Sequence, residues 1–427
     1  MIAHIKASAP IQGRITAPPS KSMAHRAVLC AALAQGLSHV ENLDISQDID
    51  ATLKAADQMG AAVCRDKNDA KIEGRGGAGA IHAPVDCCES GSTLRFLVPI
   101  MSLSGGEVQF CGRGRLFQRP MGVYREIFEK QGLLFDQQPD GLTIRGRIES
   151  GDYVLQGDVS SQFITGLLFT LPLLEKDSTL TVKEPFESRS YVELTLSALH
   201  DFGIEVQWVD EARTVLKIPG NQQYRSRDYR VEGDYSQAAF FAVLGAVCGG
   251  ITIDDLRADS LQGDAAILPI LEQCGAKFTR SGNSIRFEKS RMKGSVIDLA
   301  DCPDLGPILM TLGLFCEGET HIINAGRLRL KESDRIAAME EELRKFGAKI
   351  ESTEDTVTIW GGELHAPQTL DGHNDHRVVM SLSMAALCAG VAAEIQGAGA
   401  VAKSWPGFFD ALAKTGAEIE VQDDTKE

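Results

Sequence analysis

No run of about 20 apolar residues, the length a membrane-spanning helix needs, occurs in this 427-residue chain; the longest apolar stretches, such as residues 238–248, fall well short. Positive charge is also scarce. Lys and Arg number 43 against 59 Asp and Glu, a formal net charge of -16, which argues against nucleic acid or an anionic membrane as the general partner. The first 13 residues lack a basic segment, an apolar core and a small-residue cleavage site, so no secretory leader is expected. Nucleotide-binding loops are missing too. No G-x-x-x-x-G-K-[ST] occurs, and "PPSKS" lacks the glycines that would cradle phosphate. "EGRGGAG" satisfies G-x-G-x-x-G through Gly74, Gly76 and Gly79, but the "AIHAPVDCC" that follows does not read as a helix, so the dinucleotide fingerprint fails its structural test.

What is present is ordinary for a globular protein, with 43% hydrophobic and 24% charged residues. The length exceeds what one core usually supports, so two domains are expected. Ten cysteines are scattered through apolar helices (Cys30, Cys248, Cys316, Cys388) or adjacent (Cys87, Cys88), a pattern that suits reduced thiols and packing better than a disulfide framework. A cytoplasmic location is expected.

One unit of about 70 residues repeats six times. In each copy a short β-branched strand leads to a polar turn, then to an amphipathic helix that ends at a glycine, then to another strand. The terminating glycines Gly60, Gly132, Gly203, Gly275, Gly347 and Gly416 are 69–72 residues apart. Upstream of each lies a second helix, apolar nearly all round and so expected to be buried, beginning at Ser20, Ser90, Ser160, Asp234, Asp304 or Asp375. Ser and Asp are good helix caps. These caps, however, travel with groups that capping does not need: Lys21, Ser22, Arg26, Arg95, Gln162, His376 and Arg377. Helix N-termini offer unpaired N–H groups and a positive dipole end, so cations added there imply a multiply anionic small ligand. Three repeats per domain place the join near residues 225–232. The expected domains are 14–230 and 231–427, the latter joined by the first strand, 1–13.

The strand-to-helix turns carry further polar groups. "RLRLKESDRI" holds Lys331, Glu332 and Arg335, with a helix expected to start near Ser333, and equivalent turns hold Arg119, Tyr191 and Lys403. "HNDHR" has a His-x-x-His spacing without further ligands at suitable positions, so an anion or proton-transfer role suits it better than a metal. For acid and base work the candidates are Glu332, Asp304, His376, Lys21 and Lys403. A carboxylate among cations stays ionised and accepts a proton, while a Lys among cations has reason to lose one.

End to end, through "PPSKSMAHR", "SGSTLRF", "RPMG", "DVSSQF", "SYVELT", "EGDYSQAAFF", "DCPDLGPIL", "LRLKESDRI", "NDHRVVMSL" and "AKSWPGFF", the chain resembles the 5-enolpyruvylshikimate-3-phosphate synthases, the enolpyruvyl transferases of the shikimate pathway. The resemblance implies an α/β fold of two globular domains, each of three βαβαββ units, with buried helices pointing at an interdomain cleft that closes over substrates. It implies enolpyruvyl transfer from phosphoenolpyruvate to the 5-hydroxyl of shikimate 3-phosphate by a monomer without cofactor or metal. By motif, Lys21, Ser22, Arg26, Ser160, Ser161, Gln162, Ser188, Tyr191, Asp304 and Lys331 match the shikimate 3-phosphate site. Lys21, Gly91, Arg119, Gln162, Arg335, Arg377 and Lys403 match the phosphoenolpyruvate site, with His376 beside it. Asp304 and Glu332 match the proposed proton-transfer pair. Two positions depart from the pattern: Glu89 stands where many relatives have Asn, and Arg327 where some do. The sister transferases that use UDP-N-acetylglucosamine fit less well, since they usually carry a cysteine where this chain has Gly114, while Cys111 lies eight residues before Arg119. A non-catalytic anion-binding scaffold would not need Asp304, Glu332 and Lys403 in different repeats.

Overall fold

Among the described residues of the computed structural model, 1–6, 10–44 and 46–423, two kinds of helix alternate along the chain. In order they are α1 (Lys21–Leu33), α2 (Gln47–Gln58), α3 (Gly91–Ser102), α4 (Gly122–Lys130), α5 (Ser161–Thr170), α6 (Arg189–Asp201), α7 (Tyr235–Cys248), α8 (Ile267–Gln273), α9 (Gly306–Gly313), α10 (Arg335–Arg344), α11 (His376–Ala389) and α12 (Phe408–Ala413). The odd-numbered helices are the apolar ones. All residues of α7 from Tyr235 to Ala246 are buried, and each fully covered Phe240, Phe241, Val243 or Leu244 side chain contributes about 1.5–3 kcal/mol. Even-numbered helices bury one stripe, as with Ile336, Met339 and Leu343 on α10.

Six four-stranded sheets accompany them. The second shows the plan: Val85–Asp86 runs parallel to Glu107–Cys111 across α3, and Gly141–Arg145 and Leu134–Gln138 continue the sheet antiparallel. The glycines that end the repeats, Gly60, Gly132, Gly203, Gly275, Gly347 and Gly416, all have φ between +68° and +97°. Only a residue without Cβ turns the chain there cheaply, which is why the repeat is visible as a glycine period.

The chain forms two units, Lys21–Val231 (the N-terminal unit) and Met1–Ser20 with Glu232–Glu427 (the split unit). Each has its own apolar core. The strand before α1, Gly13–Thr16, pairs with Ile251–Asp254 of the split unit, and Asp228–Arg230 pairs with Gln35–Glu41 in the N-terminal unit. Residues 14–20 therefore belong with 232–427, not with the expected 14–230 domain. Ile2–Ile5 fills the third position of the sixth sheet, between Ala393–Gln396 and Ile419–Gln422. Residues 7–9 of the expected joining strand, and 424–427 of the expected second domain, lie outside the described residues.

Within the N-terminal unit, α1, α3 and α5 meet through Phe96, whose ring lies 6.3 Å from that of His25 and 5.6 Å from that of Phe169. In the split unit the Thr311 hydroxyl on α9 donates to the Ser381 carbonyl on α11 at 3.3 Å.

Candidate active site

Four of the expected caps accept a backbone N–H with their side chains: Ser90 from Thr93 (3.2 Å), Ser160 from Gln162 (3.3 Å), Asp234 from Gln237 (2.9 Å) and Asp375 from Arg377 (2.9 Å). Asp304 is not a cap. It sits in a 3-10 turn, Pro303–Leu305, one step before α9, and its carboxylate turns instead to cations.

In the split unit those cations form one cluster. Asp304 Oδ1 accepts from Lys331 Nζ at 3.1 Å and from an Arg335 terminal nitrogen at 3.3 Å, and Oδ2 accepts from Arg377 at 3.1 Å. Arg335, 2% exposed, also donates to Glu332 Oε2 at 2.8 Å and from Nε to Asp375 Oδ2 at 2.8 Å. Ser333 donates to the same Asp375 oxygen at 3.0 Å. Lys403, buried at the end of a 3-10 turn, donates to the Asn374 carbonyl at 2.6 Å. His376 is buried on the first turn of α11, its Nδ1 3.8 Å from Asp375 Oδ1. Asp334, not Ser333, caps α10, accepting from the Ala337 N–H at 3.0 Å.

The electrostatics follow from this geometry. Burial pushes the Asp304 carboxyl up, but Arg377, Lys331 and Arg335 more than offset it and hold the group well below the usual carboxylate range. Burial pulls the Lys331 ammonium down, against the Asp304 charge. The arrangement thus keeps one carboxylate ionised and one lysine readier to give up its proton.

In the N-terminal unit Lys21 Nζ donates to Asp48 Oδ2 at 2.8 Å. Arg26, buried, donates to the carbonyls of Ser22 (2.6 Å) and Tyr191 (2.8 Å) and to the Thr195 hydroxyl (3.0 Å), so α1 holds the start of α6. Ser188, in left-handed conformation at φ 53°, precedes that helix. Arg95 donates to Gln162 Oε1 at 2.7 Å, and Gln162 donates onward to Ser92 at 3.0 Å. Ser161 is buried on the first turn of α5. Gly91 lies directly against Arg119: a Cβ there would stand 2.7–2.9 Å from the guanidinium. A hydroxyl chain of Thr52, Thr93 and Ser90, with steps of 2.7 and 2.8 Å, ties α2 to the mouth of α3. The two departures are also placed: Glu89 packs over Gly114, and Arg327 donates to the Ala300 carbonyl at 2.6 Å.

Three participants were not singled out as site residues from sequence: Asp48, Asp375 and Arg95. Asp375 stands within a quoted motif, and Arg95 was read as a cation at a helix mouth. Asp48 meets Lys21 from 27 residues away on another helix, a pairing no local pattern signals. Among the described residues one group has metal-ligand geometry, Glu341, Glu342 and His373. It takes only the first histidine of "HNDHR".

Two sets of buried helix mouths, each rich in cations and one holding paired acids, define a protein that binds small polyanions and can move protons on them. The chain belongs to the EPSP synthase (3-phosphoshikimate 1-carboxyvinyltransferase) family, whose model it matches over residues 5–412. It is 42% identical over 412 residues to the 3-phosphoshikimate 1-carboxyvinyltransferase of Clostridium kluyveri and 41% identical over 423 residues to that of Clostridioides difficile, covering 96% of each chain in both cases. The solved EPSP synthase of Acinetobacter baumannii superimposes with a TM-score of 0.81 at 26% identity, covering 99% of both chains. The enolpyruvyl transferase NikO of Streptomyces tendae shares the fold, with a TM-score of 0.81 at 15% identity and 98% coverage of both chains.

Proposed function

We propose that this chain transfers the enolpyruvyl group of phosphoenolpyruvate to the 5-hydroxyl of shikimate 3-phosphate. The observation that carries the reading is the convergence of Lys331, Arg335 and Arg377 on Asp304, with Glu332 on the same guanidinium. In the addition step the hydroxyl oxygen bonds to C2 of the enol phosphate, C3 gains a proton and the hydroxyl proton passes to a base. In the elimination step the C2–O bond to phosphate breaks, a C3 proton leaves and the vinyl ether forms. Asp304, ionised in the resting site, is suited to the hydroxyl and Glu332 to the enolpyruvyl carbon. Anionic oxygens of phosphoenolpyruvate replace Glu332 and Asp304 as acceptors for Arg335, which frees both carboxylates for proton work. Arg119, Arg377 and Lys403 hold the same substrate, Lys21 contacts both, and Ser22, Arg26, Ser160, Ser161, Gln162, Ser188 and Tyr191 hold shikimate 3-phosphate with Lys331. His376 lies beside the donor site. Preorganised cations stabilise charge moving onto the leaving phosphate, usually the largest catalytic contribution.

Small-molecule substrates call for no macromolecular partner, which fits a monomer, and ten unbridged cysteines fit a reducing cytoplasm. The reading is tested by running the reaction in heavy water. Because C3 gains and loses a proton, deuterium is expected in the vinyl group of the product; a fully protonated vinyl group would rule out addition and elimination at C2.

Asp304→Asn removes a carboxylate that is ionised at every working pH. Its kcat/KM is therefore expected to fall by about 10²–10⁴ across pH 6–9 without moving the acid limb of the profile; a shifted limb would show that Asp304 titrates there. Gly91→Ala should leave the melting temperature within about 2 °C but push Arg119 aside, raising KM for phosphoenolpyruvate by about tenfold, since a displacement near 1 Å costs that much or more. An unchanged KM would remove Arg119 from that site.

A further inference from the structure

Glu342 lies on α10, two turns beyond Arg335, and its side chain is fully buried. A buried carboxylate persists only when paired and hydrogen-bonded, and this one is: Lys345 Nζ donates to both oxygens at 2.8 Å, the Asp371 N–H donates to Oε2 at 2.9 Å, and His373 Nε2 lies 3.1 Å from Oε1. The metal-like grouping with Glu341 is thus already served by an ammonium ion, so its role is better read in what it grips.

It grips the turn before α11. His373 and Asn374 are consecutive residues in left-handed conformation, φ 48° and 51°, a state that non-glycine residues hold only where the surroundings over-determine it. The Gly372 N–H donates to the Gln396 carbonyl at 2.9 Å, the His373 N–H to Asp371 Oδ1 at 2.7 Å and the Asp375 N–H to the Gly372 carbonyl at 2.8 Å. From α10, the Glu342 side chain adds a grip on both Asp371 and His373. The strained peptide then presents the Asn374 carbonyl, the acceptor for Lys403, and leads into Asp375 and Arg377.

We propose that Glu342 is a positioning residue for phosphoenolpyruvate: by holding Asp371 and His373 it fixes the left-handed turn that aims Lys403 and Arg377. This rests on the assignment of those two cations to phosphoenolpyruvate. Strain of this kind is expected where a site must be held rigid, and nothing in the fold of α11 itself requires it.

The clamp has a pH dependence. His373 faces Glu342, Asp371 and Glu341, with Lys345 sharing the Glu342 carboxylate; the hydrogen bond to Glu342 raises the imidazole above its ordinary value, against partial burial. The ion pair is therefore fully formed below about pH 6.5 and is lost as pH rises through the raised value. KM for phosphoenolpyruvate should show an upward step there that is absent in His373→Gln.

The test uses the full chain and two readouts. In Glu342→Gln, amide exchange over residues 370–378 is expected to quicken at least tenfold while α7 and α9 are unchanged, and KM for phosphoenolpyruvate to rise about tenfold with KM for shikimate 3-phosphate within about twofold. Unaltered exchange would overturn the clamp whatever the kinetics, and faster exchange with an unchanged KM would overturn the positioning role. A general loss of protection across α7 and α9 would make Glu342 merely structural. Should Glu342→Gln not fold, the part-exposed His373→Gln provides the same two readouts and the pH step. If the native protein turns over neither substrate, it is the transfer reading that fails, and the exchange arm still decides the clamp.

Discussion

Arg335→Met is expected to destabilise the split unit by about 3–5 kcal/mol at pH 7, the usual cost of leaving buried charge without its partner. The guanidinium is 2% exposed and donates to Asp375, Glu332 and Asp304, so its removal takes a charged partner from three carboxylates, of which Asp375 is fully buried. Methionine fills much of the same volume, which separates charge loss from cavity formation. For a unit of about 200 residues this corresponds to roughly 6–20 °C in the melting transition. The effect should depend on pH. Burial pushes the Asp375 carboxyl up, but Arg335 outweighs it and holds the group below its ordinary value, so the native stabilisation is present above about pH 4 and is lost as pH falls through the lowered value. The gap between wild type and variant should therefore narrow below pH 4. Arg335→Lys should rescue little, because one ammonium cannot reproduce the fork that reaches three acids. A loss under about 1 kcal/mol at pH 7 by calorimetry would mean that the carboxylates are compensated elsewhere.

Glu332→Gln is expected to cut turnover by about 10²–10⁴, the range that a positioned acid or base supplies. The amide keeps the shape of the side chain and an oxygen to accept from Arg335, now at 2.8 Å, and Arg335 keeps Asp375 and Asp304, so stability should change by less than about 1 kcal/mol and both KM values by less than about threefold. The signature is a fall in kcat with binding retained, read by steady-state kinetics on both substrates. Wild-type turnover in this variant would remove Glu332 from the chemistry.

The parts of this molecule that were legible in its sequence are those fixed by local chemistry. Gly60 and its five counterparts announce the repeat because positive φ selects glycine, and Ser90, Ser160, Asp234 and Asp375 announce helix starts because an oxygen must meet the free N–H groups. Asp304, already a candidate for acid and base work, has the same residue type at the same repeat position, yet a 3-10 turn moves it off the cap, and only tertiary contact shows that Lys331, Arg335 and Arg377 are the cations around it. The pairings of Gly13–Thr16 with Ile251–Asp254 and of Asp228–Arg230 with Gln35–Glu41 were hidden for a related reason: strand pairing over about 190 to 240 residues leaves no local mark. "HNDHR" suggests a pair of like histidines. The left-handed turn at His373 and Asn374 sends the first to Glu342 on α10 and leaves the second buried beside Asp375, so spacing alone could not have separated their roles.

The acceptor of the enolpyruvyl group is what separates this protein from its sister transferases. The deciding measurement is phosphate release from phosphoenolpyruvate by the purified full-length protein, run in parallel with shikimate 3-phosphate and with UDP-N-acetylglucosamine. Release with shikimate 3-phosphate alone is the predicted result. Release only with UDP-N-acetylglucosamine, or with neither acceptor, would contradict it.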